Sequence, residues 1–549
     1  MVRSKQALAV IAAILLGTGV VPAEQVNTTW LGGSGLWTNP SNWSGGVVPN
    51  KTATQTFNVL IPTGSVGFSA PGAPSIQVSA LSVTAGASLY GPQEASIVVN
   101  DAFRLDGRFV GSVSRLTLLP DASLTGSGTL HLLNSSLSPS AGSSAGFGVP
   151  ARITVVGDYG FFRNNVVGRT DTSLTNVGTL MATANVSLGE AALTLSGSTF
   201  RNDSEILAVG AARVLFDIGR WRMSDIGNAA RIDGATFVIG GTLDNTNRSL
   251  NFGPAHGNWE IAGTVRGGSI NIATGTVLRA PSSYSANNIG LHDTELNGHL
   301  RLYDGDHLVT HDGAIRGTNR IELYSPNLDG WSRIYSSTDS LTTGENTVIQ
   351  YYGGGIGDLE VTEPNYLNSG IGDRQRLMPI ENRGRIVATS IVHPTYPSFD
   401  VLAIDGDFSQ NARMVLGEKI LARVRGDFTS GRESLTVIHL TRNESPVLQD
   451  FVALDVQHLD LTSELDHLRL IPPSDVFYGE VFRIAKFQSF SGSWRLITTD
   501  FQLYGGGGYL LARYVPEPRG QVAMTGVLAI LCRRRRACGG CVEPSSIRG

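Results

Sequence analysis

Residues 121–130 read DASLTGSGTL and residues 171–180 read DTSLTNVGTL, the same pattern displaced by 50 positions. A second pair repeats the theme at longer range: LTNVGTLMAT at 174–183 and IENRGRIVAT at 380–389, with Asn176 matching Asn382 and Gly178 matching Gly384. Looser copies follow at GGTLDN (240–245), AGTVRGG (262–268) and NGHLRL (297–302). Two of these lie 22 residues apart, and 50 is about two such units. Fixed periods of 20 to 50 residues are the mark of solenoids, in which each unit buries its apolar face only against its neighbours.

Within a unit the apolar residues alternate, as at Leu193 and Leu195 or Ile270 and Ile272, with Gly, Asn and Asp between the runs. Alternation of period two is the strand signature, and the turn residues tolerate positive φ. Outside the first 23 residues no helical spacing with capping signals is sustained. Composition agrees: 66 Gly among 549 residues, with charged residues only 16%. The expected fold is therefore all-β, a right-handed parallel β-helix with coils of roughly 22 to 25 residues. Tandem β-sandwich modules are the alternative that strand periodicity leaves open. Asn176, Asn202, Asn228 and Asn382 are candidates for turn asparagines that pair along the axis.

Two regions break the repeat. TTWLGGSGLWTNPSNWSGGVVPN at 28–50 holds Trp30, Trp37 and Trp43, three of seven tryptophans, among glycines. Such indoles either stack on a sugar or cover the open end of the solenoid, where terminal coils must differ from internal ones. The segment 396–514, with strand-like runs such as FDVLAIDGDF and LTVIHL, reads as an all-β closing unit of final coils or a small sandwich. The solenoid proper is then 24–395.

The N-terminus, MVRSKQALAVIAAILLGTGVVPAEQ, has a basic stub, an apolar run and small residues ahead of Glu24. This is the pattern of a signal peptide spanning 1–23 with cleavage after Ala23; the run is short for an uncleaved anchor. Cys532, Cys538 and Cys541 all fall near the C-terminus, so no disulfide can staple residues 24–531. A net charge of −4 spread along the chain offers no basic face to nucleic acid.

At the other end, VPEPRGQVAMTGVLAILCRRRRACGGCVEPSSIRG fills 515–549. The uncharged run 521–532 covers about 18 Å as helix, less than a bilayer core, and Arg533, Arg534, Arg535 and Arg536 hold its far side in the cytoplasm. The order Pro516-Glu517-Pro518, apolar run, basic cluster resembles the PEP-CTERM sorting signal. That resemblance implies transient inner-membrane anchoring and processing by an exosortase-like membrane protease. It also implies delivery to the cell surface or extracellular matrix of a Gram-negative-type bacterium, often one that makes extracellular polysaccharide. The run is shorter than is usual for the family, and 537–549 extend past the arginines where such proteins stop. The 28–50 stretch, with its tryptophans, double glycines, Asn-Trp and proline, resembles the entry motif of large secreted solenoids, including autotransporter-like passengers. Here no C-terminal translocator barrel follows it.

Because β-helices host polysaccharide lyases and glycosidases, carboxylates grouped within one coil would be the mark of an enzyme. The densest polar cluster is LHDTELNGHLRLYDGDHLVTHDGAIRG, 291–317, with Asp293, Asp304, Asp306, His307, His311, Asp312 and Arg316. It matches no hydrolase, calcium or zinc motif, and Asp-Gly pairs also make tight turns. No cofactor is expected. The leading expectation is a non-enzymatic surface or adhesion protein; the alternatives are an enzyme acting on polysaccharide through the 293–316 cluster and a carbohydrate-binding module.

Overall fold

The computed structural model describes residues 23–515, apart from 69–74, 92–93, 113, 144–145, 159–164, 185–192, 255–257, 280–287, 304, 326–331, 354–369, 373–377, 391–399, 432–433, 441–451, 462–466 and 493–494. The chain divides into two compact units, Met1–Asp244 with Pro254–Gly263 and Asn245–Gly253 with Thr264–Gly549. Asp304, Pro516, Glu517, Pro518, Arg533, Arg534, Arg535, Arg536 and the cysteines lie outside the described residues, as does the run 521–532. Among the described residues no helix is long and apolar enough to cross a membrane.

In the first unit, strands from successive coils pair in parallel in two long stacks. One runs from Glu24–Thr29 through Gln55–Ile61, Ile76–Val83 and Ser96–Leu105 to Asn258–Ile261. The other runs from Ser34–Leu36 through Arg108–Ser112, Thr129–Leu133, Thr154–Asp158 and Thr179–Ala184 to Asn228–Ile232. The repeat seen in the sequence is this stack: Thr129 pairs with Thr154 and Thr154 with Thr179, so DASLTGSGTL and DTSLTNVGTL sit two coils apart. Parallel pairing along both stacks makes this a parallel β-helix and removes the tandem sandwiches, whose sheets are antiparallel.

The second unit has three parallel stacks. The first contains Ser269–Ile272, Glu295–Leu302, Asn319–Ser325, Thr347–Gly353, Arg385–Ser390 and Arg413–Leu416. The second contains Asn288–His292, His307–Thr310, Arg333–Ser336, Asp400–Asp405 and Ile420–Val424. The third contains Ala314–Ile315, Leu341–Thr343, Ile380–Asn382, Phe408–Gln410 and Asp427–Ser430. Parallel pairing continues through the described strands from Asp400–Asp405 to Arg495–Leu496, so these are further coils. The change comes at Val481–Gly492, which takes an antiparallel partner, Tyr509–Tyr514, itself paired antiparallel with Phe501–Gly506. Gly507 and Gly508 at φ +61° and +84° make that two-residue hairpin turn, a conformation that side chains resist.

The period-two pattern places like on like. Leu130, Val155, Leu180 and Ile206 are successive register partners, all fully buried, and so are Leu300, Ile321, Ile349, Ile386 and Met414 in the second unit. Each such side chain contributes roughly 1.5–3 kcal/mol by leaving water, and only the adjacent coils supply the cover.

The first coil is covered from within. Trp30, Trp37 and Trp43 are buried to 1% exposure or less and pack edge to face, with centroids 5.1 Å apart for Trp30–Trp43 and 4.8 Å for Trp37–Trp43. Trp43 Nε1 donates to the Trp37 carbonyl at 2.8 Å and Trp37 Nε1 to that of Pro49 at 3.1 Å. Of the two readings of these indoles, the cap fits the packing and the sugar platform does not: buried rings with satisfied N–H groups present no face to a glycan.

At the corners, buried asparagines replace turn hydrogen bonds. Asn176 Nδ2 donates to the Gly178 carbonyl at 3.0 Å and to Asn202 Oδ1, its register partner, at 2.7 Å. Asn382 repeats the first contact with Gly384 at 3.0 Å and joins Thr343 Oγ1 and Gln410 Oε1 in a buried file. Asn228 is not in such a file, since its side chain is exposed and its backbone carbonyl receives Asn202 Nδ2. Gly178 is required beside this corner because a Cβ there would stand 2.4 Å from the Ile153 carbonyl oxygen and 2.5 Å from that of Pro150.

Gly178→Ala is therefore expected to lower the thermal midpoint by several degrees, with Asn176→Ala losing about 1–3 kcal/mol for the carbonyls left unpaired. Gly67→Ala, where nothing lies within 4 Å, should leave it unchanged. Equal melting of all three variants by circular dichroism would contradict the corner assignment.

Candidate functional site

The 291–317 cluster does not gather at one point. Asp306 and His307 stand at the start of the strand His307–Thr310 and His311 and Asp312 just past its end, about 13 Å along an extended chain. The aspartates at both ends are spent on turns. Asp306 is fully buried and its Oδ2 accepts the Tyr303 N–H at 2.8 Å. Asp312 Oδ2 accepts the Asp293 N–H at 3.0 Å, Oδ1 accepts that of Ala314 at 3.4 Å, and Arg316 pairs with it. Asp293, in the left-handed region at φ +51°, lies 3.5 Å from the same guanidinium.

Burial raises the Asp312 carboxyl, but Arg316 and two backbone N–H groups outweigh it and hold the group below its ordinary value. A carboxylate held charged this way is a poor general acid, and Asp293 and Asp312 share one arginine rather than facing each other across a groove. His311 bridges coils, with Nδ1 at 3.1 Å from Ser337 Oγ and Nε2 at 3.4 Å from Thr264 Oγ1. His307 packs edge to face on Tyr335 at 5.8 Å. Among the described residues no three His, Cys, Asp or Glu side chains are grouped to hold a metal ion.

Two polar grooves adjoin the stacks. In the first unit one of about 780 Å³ is lined by Ser75, Ser96, Ser114, Ser135, Glu94 and Arg115, its serines linked across coils, as Ser96 to Ser75 at 2.9 Å. In the second unit one of about 540 Å³ is lined by Glu295, Arg316, Glu345 and Arg383. Arg383 is clamped by both oxygens of Glu381 at 2.9 Å.

The feature that reading along the chain misses is a basic face on the first stack of the second unit. His299, Arg320, Val348, Arg385 and Arg413 are successive register partners. Beside them runs the file Arg279, Arg301, Glu322, Gln350, and beside that Tyr324 and Tyr352, with Tyr303 packed on Tyr324. Glu322 is 1% exposed and gathers Arg301 Nε and a terminal nitrogen of Arg320, each at 2.6 Å, and His299 Nε2 at 2.9 Å. Burial raises this carboxyl, and the Arg301 and His299 hydrogen bonds more than reverse the effect, keeping it ionised. The arginines come at most one to a strand, none on Thr347–Gly353 between Arg320 and Arg385, and lie dozens of residues apart in places, so no run of basic sequence announces them.

Ala23 directly precedes the first strand, Glu24–Thr29, so the expected cleavage after it would leave that strand whole. No family model, curated protein or solved structure matches this chain.

Burial holds His307 and His311, and likewise His131 and His439, below the ordinary histidine value. The unfolded chain, with histidines near 6.5, then binds more protons than the folded one, and stability is lost as pH falls through that value toward the folded pKa values. Urea midpoints should decline from about pH 7 to 5, and less steeply in His307→Gln. A flat profile, or an unaltered slope in the variant, would contradict the burial argument.

Proposed function

We propose that this chain is an exported surface or matrix protein, a structural or adhesive β-helix that an exosortase-like protease releases from, or transfers off, the inner membrane. The observation that carries this is the succession of elements in the tail sequence: Pro516-Glu517-Pro518, the apolar run 521–532, then Arg533 to Arg536. The body supports it in two respects. Its coils are held by burial and backbone pairing without a disulfide among residues 24–531, which suits folding after export in an extended form. Its densest set of candidate catalytic groups, Asp293, Asp306 and Asp312, is engaged in turns and ion pairs, which favours a scaffold over a polysaccharide-cleaving enzyme.

The intact mass of the protein recovered from cells tests this. A species beginning at Glu24 and ending near Pro518, with or without an added group, is expected. A mass that retains residues 519–549 would overturn the sorting assignment.

A further inference from the structure

The arginine face has no structural use that accounts for its full extent. Arg301 and Arg320 neutralise Glu322, but Arg279, Arg385 and Arg413 are exposed, and among the described residues Arg385 and Arg413 have no ion-pair partner. Arg385 and Arg413 are also direct register partners, with strands about 4.8 Å apart. Like charges directly opposite each other on a sheet cost stability, and in a chain of net charge −4 this concentration of positive charge runs against the average. A ligand carrying repeated negative charge along the stack axis relieves that repulsion.

The neighbouring file says what kind of ligand. Tyr303, Tyr324 and Tyr352 are half-buried, each presenting a ring and a phenol at the same face. Arg279 lies 5.4 Å from the Tyr303 centroid, Arg301 5.6 Å from that of Tyr324, and Arg320 donates to Tyr352 Oη at 2.9 Å. The rings meet each other edge to face, at 76° for Tyr303–Tyr324 and 64° for Tyr324–Tyr352. Alternating tilts make a poor continuous platform for a run of stacked bases but leave ring faces and hydroxyls for the C–H groups and hydroxyls of sugars.

We propose that this face binds an acidic polysaccharide, with Arg279, Arg320, Arg385 and Arg413 contacting carboxylate or sulfate groups along the β-helix axis and the three tyrosines contacting the sugar rings. The site deepens the reading of the chain as an exported matrix or adhesion protein and rests on it.

The test uses the processed protein purified from cells and passed over immobilised polygalacturonate, dextran and a single-stranded oligothymidylate. Retention on polygalacturonate at low salt, release as ionic strength rises, and passage through dextran are expected. Arg385→Ala with Arg413→Ala should weaken binding about tenfold, at roughly 0.7 kcal/mol for each exposed contact, without lowering the thermal midpoint. Arg108→Ala in the first unit should bind as the unaltered protein does. Equal binding by the double variant, equal retention on dextran, or preference for the oligonucleotide would each overturn the assignment. A correctly processed protein that fails to bind overturns this inference and leaves the sorting reading standing; an unprocessed chain that binds does the reverse.

Discussion

Every coil of this protein can bury its inward side chains only against the coil before and the coil after, and that dependence governs the rest of the structure. It demands register: Leu300 must lie over Ile321, and Ile321 over Ile349, because a slip of one residue turns the whole apolar set to solvent. It demands corners whose polar groups are satisfied without water, which Asn176, Asn202 and Asn382 supply from buried positions. It also demands protected ends. The first coil is covered by the three packed indoles, and the last carries an antiparallel hairpin in place of another parallel strand.

The same register has a consequence on the outside. Whatever residue occupies an outward position in one coil stands next to its counterpart in the next, so a single substitution per coil builds a file of like side chains along the axis. The basic face arises this way from two neighbouring files, Arg279 with Arg301 and Arg320 with Arg385 and Arg413 across Val348, residues that the chain keeps well apart. Glu322 interrupts it and pins two of the guanidiniums, fixing their direction, while Arg385 and Arg413 remain open. A solenoid with such a face is suited to hold a long, repetitive, charged polymer at many weak contacts rather than to cut it at one.

Much of the fold was legible in the sequence because its determinants are local and periodic. The 50-residue displacement resolves into two 25-residue steps through Thr129, Thr154 and Thr179, and Asn176 and Asn382 occupy like corners beside like glycines. What stayed illegible depends on which residues the coils bring side by side. Asn228 has the right type and spacing yet is exposed, and Gln410 and Thr343 extend the Asn382 file without any sequence signature. The polar cluster at 293–316 looked dense along the chain, but an extended strand separates its two halves. An even spread of charge concealed the arginine face for the same reason. Exposed tryptophans and buried ones read alike in sequence, and only their packing distinguished a cap from a platform.

The most direct test of this register is a cross-link between residues one coil apart. Ser249, exposed, and Ser269, half-buried, are register partners with their Oγ atoms 2.9 Å apart, and a parallel ladder sets such Cα atoms within disulfide range. Ser249→Cys with Ser269→Cys, mildly oxidised in the purified protein, should close a disulfide seen as a mobility shift on non-reducing gels. Ser249→Cys with Asn271→Cys, displaced by two residues along the strand, should not. Failure of the first pair, or equal closure of both, would contradict the stacking on which the core, the corners and the basic face all depend.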